Sequence, residues 1–164
     1  MASATSFSFS QKLLHWVMAI FIFYNLLFVD AMEHTVHAIE RGNQPDSGDL
    51  FWANVHAYLG IAVAVLAAIR LAMRFAHGVP AEPAEEPAWA QLGAKIAHAA
   101  LYIAFFLMPA LGVAKYYFGS ETMGDLHSGP VKVILWALIG VHVAGVIVHQ
   151  FVWRTNLLRR MTTA

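Results

Sequence analysis

The chain contains no cysteine, and that one absence excludes disulfides, thiolate zinc sites, iron–sulfur clusters and covalent c-type haem attachment together. Charge is scarce as well: Asp, Glu, Lys and Arg make up 12% of the 164 residues, where a soluble domain carries about a quarter. The formal net charge is zero at neutral pH, so there is no basic excess of the kind that holds nucleic acid. Internal repeats and low-complexity tracts are lacking too.

What fills the sequence instead is apolar. Hydrophobic residues reach 59% and the mean hydropathy is +0.59, too high for an ordinary soluble domain of this size. Four stretches, 9–29, 51–75, 92–118 and 130–153, each approach the ~20 residues needed to cross a ~30 Å hydrocarbon core as a helix. The expectation is an all-α fold, an integral membrane four-helix bundle formed by one domain over 1–164. The first stretch lacks a basic leader and a small-x-small cleavage site, and Asn25 and Asp30 follow its apolar core, so it is expected to remain as a membrane helix.

Four crossings place both termini on one side. Lys12, Arg70, Arg74, Lys95, Arg154, Arg159 and Arg160 gather there, against Arg41, Lys115 and Lys132 on the other. Positive charge concentrates on the cytoplasmic side, which makes both termini cytoplasmic in a multi-pass membrane protein. The outer connections, 30–50 and 119–129, carry Asp30, Glu33, Glu40, Asp46, Asp49, Glu121 and Asp125, an acidic outer face relieved only if Lys115 or Lys132 forms a local positive entrance. Pro80, Pro83 and Pro87 make 79–87 an extended linker, and Pro109 followed by Gly112 suits a local kink in the third helix.

Against this background stand nine histidines. An ionisable side chain inside a membrane is costly and marks a functional site, and paired imidazoles are natural ligands of haem iron. Sorted by depth, the histidines form two layers: His15 and His142 near the cytoplasmic leaflet, His56 and His127 near the outer one. Axial ligands must approach a haem from opposite faces, so two such pairs imply two stacked, non-covalently held haem b groups. His127 and His142 are fifteen residues apart, roughly 22 Å along a helix and roughly 60° apart around it. Because Pro130 restricts the residue before it, His127 is expected on a turn or an irregular first turn. Glycines 60, 112, 140 and 145 suit close approach either by a neighbouring helix or by a flat macrocycle.

Leu14-His15-Trp16, Val55-His56-Ala57 with Gly60, His98 with Tyr102 and Pro109-x-x-Gly112, Leu126-His127, Gly140-Val141-His142-Val143-Ala144, and His149 followed by the Leu157-Leu158-Arg159-Arg160-Met161 ending resemble the bacterial cytochrome b561 family over nearly the whole chain. The resemblance implies a bacterial inner-membrane protein with two haem b groups, the inner held by His15 and His142 and the outer by His56 and His127, with electrons exchanged with ubiquinone as acceptor. It further implies an oxidoreductase of the superoxide oxidase kind, passing electrons from periplasmic superoxide to the quinone; the alternative is a cytochrome subunit relaying electrons from a periplasmic redox protein or dehydrogenase. This chain departs from the family pattern in a His127–His142 interval one residue longer than usual and in Gln150, where a second histidine is usual after His149.

Other residues keep two readings. Arg70 lies about a turn deeper than Arg74 and either anchors the helix at the interface or pairs with haem propionates. His98 and His149 serve a propionate, the quinone or a proton path. Glu33-His34-x-x-His37-x-x-Glu40 reads first as a solvated short helix and second as a cation site. The five tryptophans read as interfacial anchors, with Trp16 also placed to pack on a haem.

Overall fold

A computed structural model describes residues 6–81, 86–155 and 157–162; the middle of the proline-rich linker and Asn156 lie outside them. The described residues are helical almost throughout. Helix α1 spans Phe9–Leu27, α2 Asp30–Glu40, α3 Ser47–His77, α4 Ala88–Phe118, α5 Glu121–Ser128, α6 Pro130–Ile147 and α7 Leu157–Thr162, with a π-helical segment Val148–Val152 continuing α6.

The helix ends follow from local chemistry. Ser8 and Gln11 form a reciprocal capping box, Ser8 Oγ accepting the Gln11 N–H at 3.3 Å while Gln11 Oε1 accepts the Ser8 N–H at 3.0 Å. Asp46 caps α3 through the Gly48 N–H at 2.8 Å, which starts the second long helix four residues before its apolar run. α4 begins directly after Pro87 and ends on Gly119, whose left-handed backbone (φ 69°) closes the helix. Pro109 is accommodated within α4.

α3, α4 and the run Glu121–Val152 are each long and apolar enough to cross a membrane, and α1 forms a fourth candidate span together with α2, from which it is bent by 51°. Both outer connections turn out to be structured. The first carries the amphipathic α2, which packs on α3; the second carries α5, so the last span starts at Glu121 rather than near Pro130. The break expected before Pro130 falls at Gly129 alone (φ −101°, ψ −111°), leaving His127 in the last turn of a helix and not on a loop. A Cβ at position 129 would meet the Asp125 carbonyl oxygen at 2.7 Å, so the sharp turn between α5 and α6 requires glycine.

The packing order is α1 against α3, α3 against α4, and α4 against α5 and α6. Two small clusters fill the middle: Met18, Val63 and Ala67, and Leu101, Ala104 and Leu135, with Phe105 packed against both. Trp136, expected at an interface, stands mid-helix and packs edge-on against Phe23 at 6.2 Å, joining α6 to α1. Side chains such as Ile20, Ile103 and Val133 are exposed on the outer surface, the side that faces lipid. At the end holding the termini, Gln11 Nε2 donates to the Gly78 carbonyl, Trp16 Nε1 to that of Met161, and Arg160 to that of Ala81, binding α7 and the linker to the bundle. Trp16 thus acts as a tie to α7, while its ring meets His15 edge-on at 5.2 Å.

Candidate haem-binding sites

Two imidazole pairs lie at opposite ends of the central clusters. His15 of α1 faces His142 of α6 with ring centroids 6.1 Å apart, and His56 of α3 faces His127 of α5 at 6.3 Å. A metal–imidazole bond of about 2 Å on each side, plus half an imidazole ring, places two trans ligands with centroids roughly 6.4 Å apart. Both pairs therefore fit an iron held between them, and the two layers expected from depth are brought together as matched pairs.

The outer pair is held by backbone groups that leave no trace in a motif. His127 Nδ1 donates to the Met108 carbonyl oxygen at 2.9 Å, which puts the proton on Nδ1 and leaves the Nε2 lone pair for a metal. Gly112, one turn beyond Met108, makes that approach possible: a Cβ there would lie 3.0 Å from His127 Cε1. Opposite, Asn25 Nδ2 donates to the His56 carbonyl at 3.0 Å, tying α1 to α3 at ligand depth. His56 Nδ1 is buried without a hydrogen-bond partner among the described residues, consistent with bonding capacity directed at a non-protein group. A cavity of about 640 Å³ lined by Asn25, His56, Gly60, Met108, Gly112 and His127 lies here, within the range of cofactor sites.

The inner layer is more crowded. Arg70 Nη1 donates to His15 Nδ1, so the Arg70 guanidinium stands beside the inner pair of imidazoles. His98 stands edge-on to His142 at 5.4 Å and donates its Nδ1 proton to the Ala94 carbonyl at 2.7 Å. Gly140 and Gly145 carry no helix contact, since an added Cβ would meet no described atom within 4 Å. His149 lies apart from this layer, buried beside Glu86 where the last helix widens.

The two lysines of the outer rim differ. Lys115 Nζ donates to Glu40 Oε1 at 2.8 Å and to Glu121 Oε2 at 2.6 Å, so its charge is offset twice over, whereas Lys132, the other lysine expected at an entrance, lines the same outer cavity. Gly124 admits the lysine stem, whose Cδ would sit 2.8 Å from a Cβ. The His34 and His37 segment is the solvated helix of the first reading: His37 Nδ1 meets Glu40 at 3.5 Å, His34 meets Asp49 at 3.3 Å, and no group of three metal-binding side chains exists among the described residues.

Paired imidazoles stacked within a helical membrane bundle define a b-type membrane cytochrome, a class that carries haem b and transfers electrons. The model of the prokaryotic cytochrome b561 family matches residues 6–164. Cytochrome b562 of Cereibacter sphaeroides is 30% identical over 154 residues, 92% of this chain and 91% of that protein. Cytochrome b561 homolog 1 of Escherichia coli (strain K12) is 29% identical over 178 residues, 94% and 96% of the two. The chain belongs to the prokaryotic cytochrome b561 family and is a multi-pass inner-membrane cytochrome.

Proposed function

We propose that this cytochrome holds two haem b groups, one between His15 and His142 and one between His56 and His127, and passes electrons between the periplasmic side and ubiquinone, with both termini cytoplasmic. The observation that carries the reading is the pair of matched imidazole separations, 6.1 and 6.3 Å, at the two ends of one bundle. When bound, the haems supply reversible one-electron chemistry. The chain does the rest: four histidines on α1, α3, α5 and α6 fix orientation, Met108 and Gly112 set the outer imidazole, Phe105 and the central clusters exclude water between the layers, and Arg70 places a cation at the inner layer.

Superoxide is the donor that the family resemblance supplies: two superoxide anions, one quinone and two protons give two O₂ and one quinol. Adding a superoxide source and a short-chain ubiquinone to the haem-loaded protein is expected to accelerate quinol formation, and superoxide dismutase should abolish it. No acceleration removes superoxide as donor. The rim favours a second donor. Glu33, Glu40, Glu121 and Asp125 line the outer cavity together with Lys132, while Lys115 is already paired with Glu40 and Glu121; the excess of carboxylates over lysines gives a rim that attracts a basic redox protein. Quinone reduction that requires a co-purifying basic protein and weakens with salt supports this second reading.

A further inference from the structure

At the end of the bundle that carries the termini, two ionisable side chains are buried together. Glu86 and His149 side chains are 4% and 9% exposed, and Glu86 Oε1 lies 3.4 Å from His149 Nε2. Acidic side chains are almost never this buried unless paired. Glu86 Oε1 has no hydrogen-bond partner among the described residues, so the imidazole nitrogen is the group it faces.

Thr155 decides which nitrogen that is. Its hydroxyl donates to the His149 carbonyl at 3.3 Å, so its oxygen accepts the Nδ1 proton at 2.8 Å. With Nδ1 protonated, Nε2 presents its lone pair to Oε1 across 3.4 Å, a contact that is not yet a hydrogen bond but becomes a route for one further proton when the two atoms close to hydrogen-bond distance. The backbone is shaped to allow this: Val148–Val152 is a π-helical turn, and the Thr155 N–H reaches back to the His149 carbonyl at 2.9 Å. Such wide turns concentrate at functional sites.

An aromatic run leads from this pair to the lipid-facing surface. The His149 ring meets Trp153 at 4.8 Å, and Trp153 meets Trp89 at 6.2 Å. Trp89, three residues after Glu86, is 73% exposed. A flat ring arriving from the bilayer finds indole faces beside a buried carboxyl.

We infer that Glu86 and His149 form the proton couple that serves quinone reduction, with Thr155 as the positioning residue that fixes the imidazole; the inference rests on the quinone reading above. Each quinone takes two electrons, delivered singly by the outer donor, and two protons. For each O–H bond formed on the quinone, the Glu86 O–H bond breaks. His149 then takes a proton from cytoplasmic water at Nε2, and that proton passes to the carboxylate.

The test uses pre-reduced, haem-loaded protein in detergent, reoxidised either by a short-chain ubiquinone or by ferricyanide, which takes an electron and no proton. Glu86→Gln is expected to slow reoxidation by quinone on the order of 10- to 100-fold, the scale of a lost general acid, with ferricyanide as the proton-free control at the wild-type rate. Glu86→Asp should restore most of the loss. The reduced-minus-oxidised infrared spectrum should show a carboxylic C=O band in the wild type that is missing from Glu86→Gln. Equal quinone rates, equal slowing with both acceptors, or identical infrared spectra would overturn the couple. A wild type oxidised by ferricyanide but not by quinone would instead sink the quinone reading, and the couple with it.

Discussion

His127 donates its Nδ1 proton to the Met108 carbonyl oxygen at 2.9 Å, and this bond settles which nitrogen of a membrane imidazole is free for a metal. It depends on Gly112, because a Cβ there would sit 3.0 Å from Cε1 and 3.3 Å from Nδ1. Gly112→Ala is therefore expected to push the imidazole off its acceptor and to lower haem from two per chain toward one, measured as haem against protein. Alanine otherwise favours a helix over glycine by about 1 kcal/mol, so haem loss from a folded variant isolates the contact. A full complement in Gly112→Ala would show that the imidazole does not need this position.

Loss of one haem by single substitution tests the pairing. His15→Ala and His142→Ala should each remove the same spectral component, and His56→Ala and His127→Ala the other. The informative variant is His98→Ala. His98 lies 5.4 Å from His142, closer than His15 at 6.1 Å, yet the longer separation is the one that accommodates an iron between two rings. His98→Ala should keep both haems; the rival pairing of His98 with His142 predicts that it loses one and that His15→Ala loses none.

The depths of the histidines and the apolar spans were legible in the sequence because each is a matter of counting residues along helices of fixed rise. What was not legible depends on backbone atoms or on contacts between distant residues. No motif marks the Met108 carbonyl, and only the spacing of Pro109 to Gly112 hinted that something approaches α4 there. The pairing of Lys115 was not legible because its partners, Glu40 on a short helix and Glu121 in the second connection, are 75 and 6 residues away and meet it only in the fold. The roughly 60° offset between His127 and His142 assumes one ideal helix through Gly129, the residue at which α5 ends and α6 begins, so the true relation of the two imidazoles could not be counted from the sequence.

Arg70 couples to the inner layer in a way that ligation must change. Its Nη1 donates to His15 Nδ1, which leaves the His15 proton on Nε2. With the proposed haem iron at Nε2 the proton would stand on Nδ1, where a guanidinium cannot donate, and Arg70 would be free to pair with a propionate of that haem. Its positive charge favours the reduced form. Arg70→Leu should lower the midpoint potential of the inner haem on the order of 50–100 mV and leave the outer one unmoved, whereas Arg70→Lys should shift it less. Potentiometric titration of both components reads this directly; an unchanged inner potential would leave Arg70 with an anchoring role only.

Lys115 ties α4 to α2 and α5 through Glu40 and Glu121, and this makes the outer cover of the cavity acid-sensitive. The hydrogen bond from Lys115 holds the Glu40 carboxyl below its ordinary value, about 4.3 for glutamate. A folded-state value depressed below the unfolded one contributes stability that is present above the ordinary value and lost as the pH falls through the depressed one. The protection factors of the α2 amides, exchange relative to the intrinsic rate at each pH, should therefore stay high at neutral pH and fall only below the ordinary carboxylate range. Lys115→Met should show lower α2 protection factors at neutral pH with no further acid-dependent fall, while protection in α3 and α4 at inner-layer depth stays as in the wild type. Protection of α2 that is the same in Lys115→Met and wild type would show that α3 alone, against which α2 packs, holds it in place.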